Sequence, residues 1–202
     1  MRTTRWLEIV VAANATLLAG TASGGIVYTE SVDGDLSDNR FAPTARTLCA
    51  GSNVLTGTFG PSGVPDVPDL DYITITIPTG YQLAQIVLLV SDVGGAFSFI
   101  GVELGPIISV PWDKPDPAGL LGWSHYGSAD AGSNLLPAIG QGSGAIGFSG
   151  ALPANAYTIW LMELDGAQPY NYSFDFVVTP VPAPATLGVL AAFTLSRRRA
   201  RR

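Results

Sequence analysis

The chain alternates polar and apolar positions with a period of two over most of its middle. From Asp71 to Ile77, Ile73, Ile75 and Ile77 alternate with Tyr72, Thr74 and Thr76. From Ala156 to Glu163, Tyr157, Ile159 and Leu161 alternate with Thr158, Trp160 and Met162. From Tyr170 to Val178, Tyr172, Phe174, Phe176 and Val178 alternate with Asn171, Ser173, Asp175 and Val177. Side chains of a strand point alternately to its two faces, so these three segments read as strands with one buried face. Tyr81–Val90 is a more continuously apolar run after the turn at Pro78-Thr79-Gly80. Shorter strand candidates are Gly25–Glu30, Val54–Phe59, Phe97–Leu104, Ile107–Val110 and Gly144–Phe148. Ser133–Ile139 reads as a single helical turn, and no longer helical period appears in the body. Gly and Pro mark nearly every junction. Eight or nine short strands with such turns predict an all-β fold, an antiparallel β-sandwich or jelly roll.

The two ends break this pattern. At the start, Arg2 and Arg5 precede a short apolar stretch, Ile9–Ala19, and small residues at Gly20-Thr21-Ala22. A basic head, an apolar helix and a small-residue cleavage site are the three parts of a secretory signal, assigned to residues 1–24. Thr21 stands where a lipobox needs Cys, which argues against lipid anchoring here. At the other end, Pro180, Pro182 and Pro184 favour an extended, unpaired linker. Ala185–Ser196 is a 12-residue stretch without charge, followed by Arg197, Arg198, Arg199, Arg201 and Arg202. As a short hydrophobic helix it spans about 18 Å, against about 30 Å of hydrocarbon, which suits a transient anchor with its basic end in the cytoplasm. The body is therefore residues 25–179 and the tail residues 180–202.

Charge sharpens this division. Between Gly25 and Ser196 there are fifteen acids and three bases, Arg40, Arg46 and Lys114, a net charge of −12. Such a body repels nucleic acid and attracts cations. One histidine and one cysteine exclude Cys/His zinc clusters and an internal disulfide framework. Cys49, alone, is expected to be buried and inert. His125 neighbours Ser124, but adjacent residues of a strand point to opposite faces, so the pair does not form a nucleophile and base. Paired carboxylates for glycoside hydrolysis are inevitable among fifteen acids and therefore uninformative.

Two acid clusters bear on metal binding. Asp33, Asp35, Asp38 and Asn39 fall in one loop, and Asp66, Asp69 and Asp71 precede a strand. Two readings stand: oxygen ligands for calcium, with Asp33, Asp35, Asp38, Asp69 and Asp71 as the set, or Asx-turn and loop-capping residues. Trp112, Trp123 and Tyr126 lie in loop-like sequence and offer a surface for stacking on sugar rings, or alternatively a plug at the end of the core.

The tail resembles the PEP-CTERM sorting signal of bacterial exported proteins. Its proline motif stands as Val181-Pro182-Ala183-Pro184, followed by the apolar stretch and the arginine cluster. Ala183 takes the place of the usual Glu, giving the Pro-Ala-Pro form. The resemblance implies export by signal peptidase, transient holding in the inner membrane, and processing by an exosortase-like enzyme. The body is similar to the bacterial pre-peptidase C-terminal domain. The residues that carry this are Glu30, Gly34-Asp35-Leu36-Ser37, Pro43-Thr44, Leu48, Gly51-Ser52-Asn53-Val54, Gly57-Thr58, Asp69-Leu70-Asp71-Tyr72 and Ile75-Thr76-Ile77-Pro78-Thr79-Gly80. It implies a small β-sandwich of exported proteins, some of which bind calcium or extracellular polymers. The expectation is a non-catalytic envelope or extracellular-matrix protein with no cofactor other than calcium. The alternatives are a carbohydrate-binding or calcium-stabilised adhesion module that binds extracellular polysaccharide, and a carboxylate-based secreted hydrolase.

Overall fold

The computed structural model describes residues 25–64, 67–93, 98–163 and 168–182. Residues 1–24, the expected signal, lie outside them, as do Ala183, Pro184 and the arginine cluster. Eleven strands form among the described residues: β1 (Gly25–Thr29), β2 (Thr44–Thr47), β3 (Asn53–Val64), β4 (Val67–Asp69), β5 (Asp71–Thr76), β6 (Tyr81–Ser91), β7 (Ser98–Leu104), β8 (Gly122–Tyr126), β9 (Leu152–Pro153), β10 (Ala156–Met162) and β11 (Tyr170–Pro180). They build two sheets packed face to face, ordered β1-β3-β11-β6-β9 with β4 paired to β3, and β2-β5-β10-β7-β8. This is an all-β sandwich. Most pairings are antiparallel, but the edge pairs β1–β3 and β2–β5 are parallel.

Alternation explains the core. Tyr172, Phe174, Phe176 and Val178 of β11 lie beside Leu83, Ile86 and Leu88 of β6 and join the inward residues of the second sheet, Ile73, Ile75, Ile100, Val102, Ile159 and Leu161, in one buried cluster. Strand β5 is buried on both faces. Its other side, with Tyr72, joins Trp160, Phe99, Leu70, Ile108, Val110 and Leu120 in a second, smaller cluster. That cluster forms because the connection after β7 folds back over the outside of the sheet. Ile107–Val110 is therefore a cover, pinned by the Ile108 amide donating to the Arg40 carbonyl at 2.9 Å, and not a strand. Gly144–Phe148 is also not a strand. Gly144 and Gly147 sit at φ 78° and 82°, a left-handed backbone incompatible with a pleat. The expected helical turn forms over Leu136–Ile139. Strand β11 runs into the proline motif, with Pro180 opposite Tyr81, and the Val181 amide donates to Gly80. No helix among the described residues is long and apolar enough to cross a membrane.

Candidate metal centre

The inward face of β5 begins with a charge. Asp71 shares the parity of Ile73 and Ile75, so the strand that buries those isoleucines also turns Asp71 into the sandwich, where it is 0% exposed. Neither of its carboxylate oxygens has a hydrogen-bond partner among the described residues. The Tyr172 hydroxyl lies near enough to favour its charge, yet donates to Glu30 Oε1 at 3.2 Å. A buried carboxylate without a partner is costly, and it either takes up a proton or meets a cation.

Two acids converge on it. Glu30 opens the short helix Glu30–Asp33 at the end of β1, and Asp35 follows the turn at Gly34. One carboxylate oxygen from each of Glu30, Asp35 and Asp71 lies within 4.8 Å of the others. Oxygens across a calcium ion coordinated at 2.3–2.6 Å stand about 5 Å apart, so this spacing fits one cation. Glu30 is fixed by β3: the Thr58 amide donates to its Oε2 at 2.7 Å. Gly57 makes room for it, since a Cβ there would sit 2.5 Å from the Glu30 carboxyl carbon and against the Tyr172 hydroxyl. The cluster opens to solvent through a cavity of about 380 Å³ bordered by Thr29, Ser31 and Thr56, whose oxygens can complete a coordination shell with water.

Asp35 also belongs to a second group. One oxygen each from Asp35, Asp38 and Asp69 lies within 4.8 Å. Asp38 bridges the first loop to the strand that follows, accepting the Leu70 amide at 2.9 Å. The charges perturb one another. Burial, and then the Glu30 charge, push Asp71 well above the usual carboxylate range. Burial raises Glu30 against the hydrogen bonds from Thr58 and Tyr172 that lower it. Burial and the neighbouring Asp35, Asp38 and Glu30 carboxylates raise Asp69 to about 7. The two arginines of the body are engaged elsewhere. Arg40 donates to the carbonyls of Ile108 and Ser109, and Arg46 lies over the Tyr28 ring.

The structure thus brings Asp35, Asp38, Asp69 and Asp71 together and adds Glu30. Asp33 does not belong: its carboxylate turns back to accept the Thr29 amide at 2.8 Å, a local loop-capping role, and it is in neither group. Asp66 lies outside the described residues. No local signal marked Glu30: it lies 41 residues before Asp71 and joins it only through the packing of the two sheets.

The aromatic set divides. Tyr126 is fully buried, not a ligand surface, because the inward parity of β8 packs its ring edge-on against Phe174 at 5.4 Å. Trp123 is half-buried, lies 6.1 Å from Phe99, and donates from Nε1 to the Ser143 carbonyl. Trp112 is half-buried against the smaller cluster. His125 is exposed beside Phe99 and Trp123, and Ser124 Oγ donates to the His125 carbonyl, so no nucleophile–base pair forms. Cys49 is exposed, contrary to expectation, because it follows the inward-facing Leu48 at the end of an edge strand. No family model, curated protein or solved structure matches the chain.

Proposed function

We propose that the protein is an exported, non-catalytic β-sandwich of the cell envelope or extracellular matrix, and that calcium completes its fold at Glu30, Asp35 and Asp71. One observation carries the calcium reading: Asp71 is buried with neither oxygen partnered among the described residues, beside carboxylates spaced for a cation. The same observation disfavours the hydrolase alternative. A catalytic carboxylate must touch its substrate, and Asp71, whose pKa burial pushes well above the usual range, is 0% exposed. The acidic body suits an oxygen-ligated cation and no softer metal. Export and sorting rest on the sequence: the basic and apolar leader, the proline motif from Val181 and Pro182 onward, and the terminal arginines. In this reading signal peptidase and an exosortase-like enzyme process the chain, which is held only transiently in the inner membrane.

Two measurements test the proposal. Calorimetric titration of the body with calcium at neutral pH is expected to show binding that Asp71→Asn abolishes, and no heat at all would overturn the metal reading. Intact mass of protein from its native host is expected to give a chain beginning near Ser23 and ending near Pro182. Arg202 still attached to the stable form would overturn the sorting reading.

A further inference from the structure

Beside the carboxylates lies a second cavity, of about 450 Å³. The segment Asp38–Phe41 lines it with two charges, an amide and a ring. Phe41 is 59% exposed, with the Arg40 guanidinium 3.9 Å from its ring centre. Trp112 contributes a half-buried indole, and Tyr72 and Leu70 come from the strand region behind. The cavity holds an unmet polar group: the Tyr72 hydroxyl is buried and has no partner among the described residues. The Asn39 side-chain oxygen accepts the Phe41 amide at 3.0 Å.

We propose that this cleft binds one ring of a neutral sugar, and that the calcium proposed at Glu30, Asp35 and Asp71 steadies its shape. A pyranose has an apolar C–H face and a belt of hydroxyls that both donate and accept. Aromatic rings interleaved with an amide, a carboxylate, an indole N–H and a phenol match that character. Other ligand classes fit less well. An anion meets Asp38 and a body of charge −12, and Arg40 is already committed to two backbone carbonyls. A purely apolar ligand would leave the Tyr72 hydroxyl buried without a partner.

Asp38 couples the two sites. It lines the cleft, belongs to the Asp35–Asp69 carboxylate group, and holds the Leu70 amide. A cation on Asp35 relieves the repulsion between the Asp35 and Asp38 carboxylates and so steadies the Asp38–Phe41 segment against the Leu70–Tyr72 segment, and cation and sugar strengthen each other's binding by the same factor. This coupling rests on the calcium reading above.

The test uses the full body on a glycan array of neutral hexose polymers, with saturating calcium or with chelator. Binding is expected with calcium, weaker by about tenfold with chelator and by about tenfold in Trp112→Ala, and unchanged in Trp123→Ala. Where Trp112→Ala fails to melt cooperatively, the exposed Phe41→Ala replaces it, with the same expected loss. No retention on any neutral glycan by the calcium-loaded protein overturns the proposal, as does retention that Phe41→Ala and chelator leave unchanged. Terbium luminescence, read in parallel, reports the cation alone. A terbium signal without glycan binding sinks this inference and leaves the calcium reading standing, whereas no terbium signal sinks both.

Discussion

Replacing Asp71 by Asn separates the two fates open to its carboxyl. In metal-free protein burial and the Glu30 charge push its pKa well above the usual range and favour the protonated form. Asn has the shape of that neutral acid, so without metal the variant is expected to unfold within about 1 kcal/mol of the parent. With calcium the parent gains about 2.7 kcal/mol at a hundredfold excess over the dissociation constant. For a body of this size each kcal/mol moves the midpoint by about 2–4 °C, so calcium is expected to raise it by about 5–10 °C. The variant loses one of three converging carboxylates, and the most deeply buried of them. It is expected to lose most of that rise. Thermal melts followed by circular dichroism, with calcium and with chelator, read the effect. A variant that keeps the full calcium shift would refute the assignment of Asp71 as a ligand. A variant far less stable than the parent in chelator would show that the metal-free carboxyl has a partner after all.

Three further outcomes are expected. Gly57→Ala places a methyl group against the Glu30 carboxyl and the Tyr172 hydroxyl, so it is expected to weaken the calcium shift, while Asp33→Asn leaves it intact; the same melts check both. Metal-free stability is expected to fall as pH rises from about 4 to about 7, because Asp69, raised from 3.8 to about 7, binds more protons folded than unfolded across that window. Calcium holds these carboxylates ionised and reverses the slope, so its stabilisation is present at neutral pH and is lost on acidification; urea unfolding at several pH values reads both signs. Trp160→Ala empties the smaller cluster and is expected to cost about 3–5 kcal/mol by the same urea measurement.

The strands with strict alternation were legible in the sequence because one covered face writes itself into a period of two. Strands β5, β10 and β11 appear within a residue or two of their expected bounds. The short edge strands β2, β4 and β9 carry too few residues for a period, and they exist only because a neighbour offers a free ladder. Ile107–Val110 shows the opposite failure: its apolar residues are buried, but against the outside of a sheet and not within one. The acids of the site were visible as clusters, whereas their assembly depends on packing β1, β3 and β5 edge to face, which no local spacing encodes. Asp33 and Asp35 look alike in the sequence, yet one caps a backbone amide and the other joins the buried carboxylates. Tyr126 stayed open between surface and core because the strand that turns it inward, β8, is too short and too rich in polar residues to alternate visibly.

The most direct test of the central claim is a crystal of the body soaked in a lanthanide, read by its anomalous signal. The account predicts a peak bounded by Glu30, Asp35 and Asp71, with carboxylate oxygens at about 2.3–2.6 Å. A structure in which Asp71 stays buried and no ion reaches it, while lanthanide sits only on exposed acids, would contradict the account.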